Sequence, residues 1–164
     1  MGTLIGDTQH PILIVAPKGR EEETITRLSR VGFDNAIGFL DGGFDHWKNA
    51  SKDIEKIENC TAEQLQNIIH DQVTVFDVRK ESEFQATHIP NAKLVPLDRL
   101  NNDLSQFSKD KPFYLHCAGG YRSMIALSIL KSRGIHNGIN VIGGMKSIRA
   151  TSTELSESPC SISS

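Results

Sequence analysis

From about Cys60 onward, short β-branched apolar runs alternate with stretches whose apolar residues recur every three or four positions. That rhythm belongs to an α/β domain with a mainly parallel sheet flanked by helices. Thr61-Ala-Glu-Gln64 has the form of a capping box and opens a helix carrying Leu65, Ile68 and Ile69. Residues 73–78 (VTVFDV) read as a buried strand, 81–87 as a helix stopped by Pro90, and 93–95 as a further strand. Asp98 is placed to cap a helix presenting Leu100, Leu104 and Phe107, and residues 112–116 (PFYLH) follow as a strand. Residues 122–133 predict a helix closed by Gly134, and 139–142 the last strand. Beyond Ala150 the chain is serine-rich and contains Pro159, which predicts a loosely ordered tail over residues 151–164.

The first fifty residues repeat the second half of this pattern. Laid over the chain 102 positions later, residues 12–35 bring Arg20 onto Arg122, Leu28 onto Leu130, Gly32 onto Gly134 and Asn35 onto Asn137. Gly42-Gly43 meets Gly143-Gly144 at a shift of 101. The organisation read from this is a partial repeat over 1–52, a complete α/β domain over 57–150, and the tail. Val15 takes the place of Cys117 in that register, and valine has no lone pair to offer, so the partial repeat is expected to be catalytically silent. Half a domain leaves an apolar sheet edge uncovered. It is therefore expected to pack on the complete domain, to pair with the same segment of another copy in a homo-oligomer, or, the favoured expectation, to end a longer polypeptide.

Composition narrows the classes. At 164 residues, 38% hydrophobic and 23% charged, the chain is one ordinary domain plus a fragment, with enough apolar matter for a real core. Eighteen Lys and Arg against twenty Asp and Glu give a net charge of −2, which offers no basic field to nucleic acid or to an anionic membrane. The apolar runs fall far short of a membrane span and no charged-then-apolar leader opens the chain, so a cytoplasmic protein with a small-molecule partner is expected. Three cysteines, Cys60, Cys117 and Cys160, are widely spaced with no CxxC, and six scattered histidines show no HxH or HExxH spacing. Neither a disulfide framework nor a metal site is expected.

The chemistry concentrates in His116-Cys-Ala-Gly-Gly-Tyr-Arg-Ser123, between a buried strand and a helix. Adjacent glycines let the backbone curl so that successive N–H groups converge, and the helix adds its positive N-terminal end. Cys117 opens that curl, so amide dipoles, the helix and Arg122 all favour its thiolate. Ala118, Gly119, Gly120, Tyr121 and Ser123 are the candidate anion-binding loop. Cysteine phosphatases use C-x5-R, a wider ring; here the spacing is C-x4-R, which suits one extra sulfur on Cys117 better than a phosphoester. Asp77 and Arg79 end a strand on the same edge and are candidates for the pocket mouth, with a salt bridge joining two loops as the competing reading. His88 reads as a turn-stabilising partner, Glu81 and Glu83 as first-turn residues, His116 as packed, and Cys60 and Cys160 as bystanders.

Asp77-Val-Arg79, Glu81, Glu83-Phe84, His88-Ile-Pro-Asn-Ala92, Cys117-Ala-Gly-Gly-Tyr-Arg122 and Gly143-Gly144, in this order and spacing, resemble a rhodanese domain over about residues 57–150. The silent half-repeat and the tail are similar to the C-terminal part of fusions between metallo-β-lactamase-fold persulfide dioxygenases or hydrolases and rhodanese domains. The resemblance implies a sulfurtransferase with no cofactor. Cys117 would take sulfane sulfur from thiosulfate, a polysulfide or a persulfide, Arg122 would attract the anionic donor, and the loop amides would stabilise the persulfide before a thiol or cyanide removes it. It also implies an N-terminal metallo-hydrolase domain in a full-length polypeptide. The rival readings are a persulfide-sensing or oxidant-sensing module without turnover and, further off, a phosphatase.

Overall fold

The structure, a computed structural model, describes residues 5–69 and 73–157. The chain divides into two compact units, Met1–Lys56 and Ile57–Ser164. Among the described residues no helix is long and apolar enough to cross a membrane.

In the first unit, β1 (Ile12–Ile14) runs parallel to β2 (Ala36–Phe39), joined by α1 (Glu21–Ser29) and followed by α2 (Gly43–Asn49). Strand alternation turns Ile12, Ile14 and Ala16 inward onto Phe33 and Leu28. Leu13, Val15 and Phe39 remain exposed, and with Phe44 and Trp47 they line a groove of about 480 Å³.

The second unit contains β3 (Glu58–Cys60), α3 (Ala62–Ile68), β4 (Thr74–Asp77), α4 (Glu81–Ala86), β5 (Thr87–His88), β6 (Lys93–Leu94), β7 (Phe113–His116), α5 (Tyr121–Ser132), β8 (Gly138–Val141), α6 (Gly144–Ile148) and β9 (Ser156–Glu157). Five strands form one parallel sheet in the order β3-β8-β7-β4-β6. Phe113 and Leu115 of the central β7 are buried, and Phe113 meets Phe76 and Phe107 ring against ring. Leu65, Val75, Ile89, Val141, Met145 and Ile148 form a separate buried cluster. Each such fully buried side chain contributes about 1.5–3 kcal/mol relative to exposure.

The capping box at Thr61 forms: Gln64 backbone N–H donates to the Thr61 hydroxyl at 3.2 Å and the Gln64 side-chain Oε1 accepts from Thr61 N–H at 2.8 Å. Thr61→Ala is expected to cost about 1 kcal/mol. The check is the urea midpoint of unfolding, which should fall at unchanged m-value.

Two expectations change. The single helix read over Leu100, Leu104 and Phe107 is instead a pair of 3₁₀ turns, Leu97–Arg99 and Leu104–Gln106. Pro96 precedes the first, and Asn101, Asn102 and Asp103 break the span with poor helix formers. Leu100 and Phe107 are still buried. Part of the expected tail is structured: Ser156 and Glu157 pair antiparallel with His88 and Thr87, and Leu155 packs on the core. Cys160 lies outside the described residues.

Candidate active site

Parallel pairing sets Asp77 beside His116, so β4 and β7 end together at one sheet edge and Cys117 begins the loop leaving it. Gly120, at φ +98°, ends the loop and Tyr121 starts α5. Gly120 N–H donates to the Cys117 sulfur at 3.1 Å, and the Ser123 hydroxyl stands 3.7 Å from it. Burial would push the Cys117 thiol up; hydrogen bonds from the Ser123 N–H and hydroxyl and from the Gly119 and Gly120 N–H groups outweigh it and hold the thiol below its ordinary value. Cys117 is 1% exposed, so its sulfur forms the floor of the loop.

The loop is held from behind by the second glycine pair. Met145 N–H donates to the Cys117 carbonyl at 2.7 Å and Lys146 N–H to the Ala118 carbonyl at 3.0 Å. A Cβ on Gly144 (φ +55°) would run into the Cys117 carbonyl. With these carbonyls tied to α6, the amides that follow remain available to the sulfur.

The first unit carries the same device: a Cβ on Gly43 would run into the carbonyl of Ala16, and Gly19, at φ +82°, stands where Gly120 does. The counterpart of Cys117 is therefore Ala16, and not Val15, which is 61% exposed. The ungapped register slips by one residue because the strands match at a shift of 101 on one side of the helix and 102 on the other. A methyl group, like valine, offers no nucleophile.

Asp77 and Arg79 do not line a pocket mouth. They are 0% and 4% exposed, and Arg79 Nε and Nη2 donate to the Asp77 carboxylate at 2.8 and 2.6 Å. Arg79 Nη2 also donates to the Thr87 carbonyl at 2.7 Å, which ties β4 to β5. His88 pairs through Nδ1 with the Phe84 carbonyl at 2.9 Å and stacks on the Phe84 ring. His116 is buried and neutral: desolvation lowers its pKa more than nearby Asp77 raises it. Burial pushes the Cys60 thiol up to about 11, leaving it unreactive. Tyr121 is 80% exposed on the first turn of α5.

Sequence reading missed three partners. Glu83 does serve its helix, accepting from Lys80 N–H at 3.1 Å, but it also takes Arg122 Nη1 and Nη2 at 2.7 and 2.9 Å. Ser123 donates to Asn140 Oδ1 at 2.7 Å, and Asn140 Nδ2 to Asn59 Oδ1 at 2.9 Å. An asparagine inside the apolar Ile139-Asn-Val141 run was the available signal for that chain of bonds.

The rhodanese-like domain model matches residues 61–151, more than half of the chain. The chain belongs to the rhodanese-like domain family. It is similar to the putative sulfur carrier protein YrkF of Bacillus subtilis, 26% identical over 110 residues that cover 66% of this chain and 58% of that protein. It is 33% identical over 93 residues to the adenylyltransferase and sulfurtransferase uba4 of Ogataea parapolymorpha, covering 56% of this chain and 23% of the relative. The rhodanese-like chain thus spans less than two thirds of these relatives' own lengths. A solved rhodanese-like domain protein from Staphylococcus aureus superposes with a TM-score of 0.57 at 33% identity, covering 63% of this chain and all of that one.

Proposed function

We propose that the chain is a sulfurtransferase that moves sulfane sulfur through a Cys117 persulfide. The observation supporting this most directly is the Cys117 sulfur held by the Gly120 amide at 3.1 Å with its thiol shifted toward the thiolate. Attack on an S–S bond needs such a thiolate and neither a metal nor a separate base. With thiosulfate, the Cys117 thiolate bonds to the outer sulfur, the S–S bond breaks, and sulfite leaves with the electron pair. Cyanide or a thiolate acceptor then takes that sulfur and returns the Cys117 thiolate. The Gly119, Gly120 and Ser123 N–H groups and the Ser123 hydroxyl hold the charge in both steps, Ala118 completes the loop, and Tyr121 and Arg122 stand on the first turn of α5.

A reducing compartment such as the cytoplasm keeps Cys117 as a thiol, and this reading leaves room for a metallo-hydrolase domain in a longer polypeptide. The lowered thiol of Cys117 also suits a second reading, a sensing module that is oxidised or persulfidated without turnover. Steady-state kinetics separate the two. Thiocyanate formation at varied donor and cyanide is expected to give the parallel lines of a ping-pong mechanism, whereas a sensor gives at most one thiocyanate per chain. A chain of residues 57–164 is expected to keep sulfur transfer near the full rate, because the first unit has Ala16 where a nucleophile is needed. A folded but inactive truncation would contradict the silence of that unit.

A further inference from the structure

Sequence order brings a cationic Arg122 to the loop, yet the folded site delivers almost no net charge there. The Glu83 carboxylate of α4 meets both Arg122 Nη atoms in a two-pronged pair, at 2.7 and 2.9 Å, and is itself fixed by Lys80 N–H. The other arginine of this sheet edge, Arg79, is closed on Asp77. Hydrogen bonds from Arg122 are the main reason the Glu83 carboxyl is pulled down to about 2, so the pair stays ionised at neutral pH. A second observation bears on the donor's shape: with Cys117 only 1% exposed, the incoming sulfur must end a slender chain.

We infer that Glu83 selects the sulfur donor by cancelling Arg122, so that the site takes persulfides of organic thiols, with at most one negative charge, in preference to dianionic thiosulfate. This rests on the sulfur-transfer reading of Cys117. The step balances: the Cys117 thiolate attacks the outer sulfur of R–S–SH, a new S–S bond forms as the donor's S–S bond breaks, the thiolate R–S⁻ leaves with the electron pair, and the Cys117 persulfide remains. An uncancelled arginine would lower the energy of a dianion twice as much as that of a monoanion, which is how a bare cation selects thiosulfate. With Glu83 in place that advantage is lost, and the S–S bond and the fit of the donor decide.

The test uses Glu83→Gln, Arg122→Ala and the double variant in the full chain. Alkylation of Cys117 by iodoacetate and by iodoacetamide, mapped by peptide mass, reports the charge at the sulfur without requiring any sulfur transfer. The ratio of the two rates cancels changes in thiolate fraction. Glu83→Gln is expected to raise the iodoacetate-to-iodoacetamide ratio about threefold, Arg122→Ala to lower it by a similar factor, and the double variant to return near the wild type. In parallel, kcat/KM for thiosulfate should rise about tenfold in Glu83→Gln, and about threefold for 2-hydroxyethyl persulfide. An unmoved ratio in folded Glu83→Gln and Arg122→Ala overturns the role of Glu83, even if sulfur is transferred. A moved ratio with no transfer from either donor upholds the charge assignment and overturns the sulfurtransferase reading.

Discussion

Cys117→Ser is expected to lower the steady-state rate of sulfur transfer by on the order of 10⁴-fold or more, because a serine hydroxyl at neutral pH cannot attack an S–S bond. The fold should survive. The serine oxygen can accept from Gly120 N–H as the sulfur does, and Met145 N–H keeps its bond to the backbone carbonyl of residue 117. The melting temperature should therefore stay within the range of an ordinary conservative core change, about 1–2 kcal/mol in stability. A variant that unfolds leaves its activity unreadable, so circular dichroism accompanies the rate. Full turnover in folded Cys117→Ser would remove the nucleophile from the account.

Asp77→Ala is expected to cost about 3–5 kcal/mol, the loss seen when one partner of a buried ion pair is removed. The Asp77 carboxylate takes three donors from Arg79: its backbone N–H at 2.9 Å, Nε and Nη2. Without it, the Arg79 guanidinium remains buried with the Thr87 carbonyl as its hydrogen-bond partner. For a domain whose whole stability is of the order of 5–15 kcal/mol, that is a large part. Urea unfolding measures it, and the double variant Asp77→Ala, Arg79→Met should be less destabilised than Asp77→Ala alone. A single-variant cost below about 1 kcal/mol would show that the pair does not hold β4 to β5.

What the sequence showed and what it hid follow from how far apart the interacting residues lie in the chain. The parallel α/β architecture was legible because each element carries its own evidence: the Thr61 capping box, the 73–78 run, and Gly134 closing α5. The cysteine loop was legible because strand, nucleophile, glycines and arginine are consecutive. The Glu83 and Arg122 partnership was not, since 39 residues separate them and Glu83 had a sufficient local explanation in its own helix. Arg79 failed as a mouth residue for the opposite reason: its partner is two residues away, and the turn after β4 folds the guanidinium back into the protein. Residues 98–107 kept their buried leucine and phenylalanine while losing the helix, because packing asks only that Leu100 and Phe107 reach the core. In the first unit, a one-residue slip in register moved the silent position from Ala16 to Val15, the smallest error that turns a buried site into an exposed one.

The central claim is that Cys117 carries the sulfur. Its most direct test is the intact mass of the full chain after incubation with a sulfane donor and removal of excess reagent, followed by cyanide. The account predicts a gain of one sulfur atom, located at Cys117 by peptide mass, and its complete loss to cyanide with release of one equivalent of thiocyanate. A gain on Cys60 or Cys160 instead, or a wild-type chain that stays folded, reduced and unmodified with both thiosulfate and a persulfide, would contradict it.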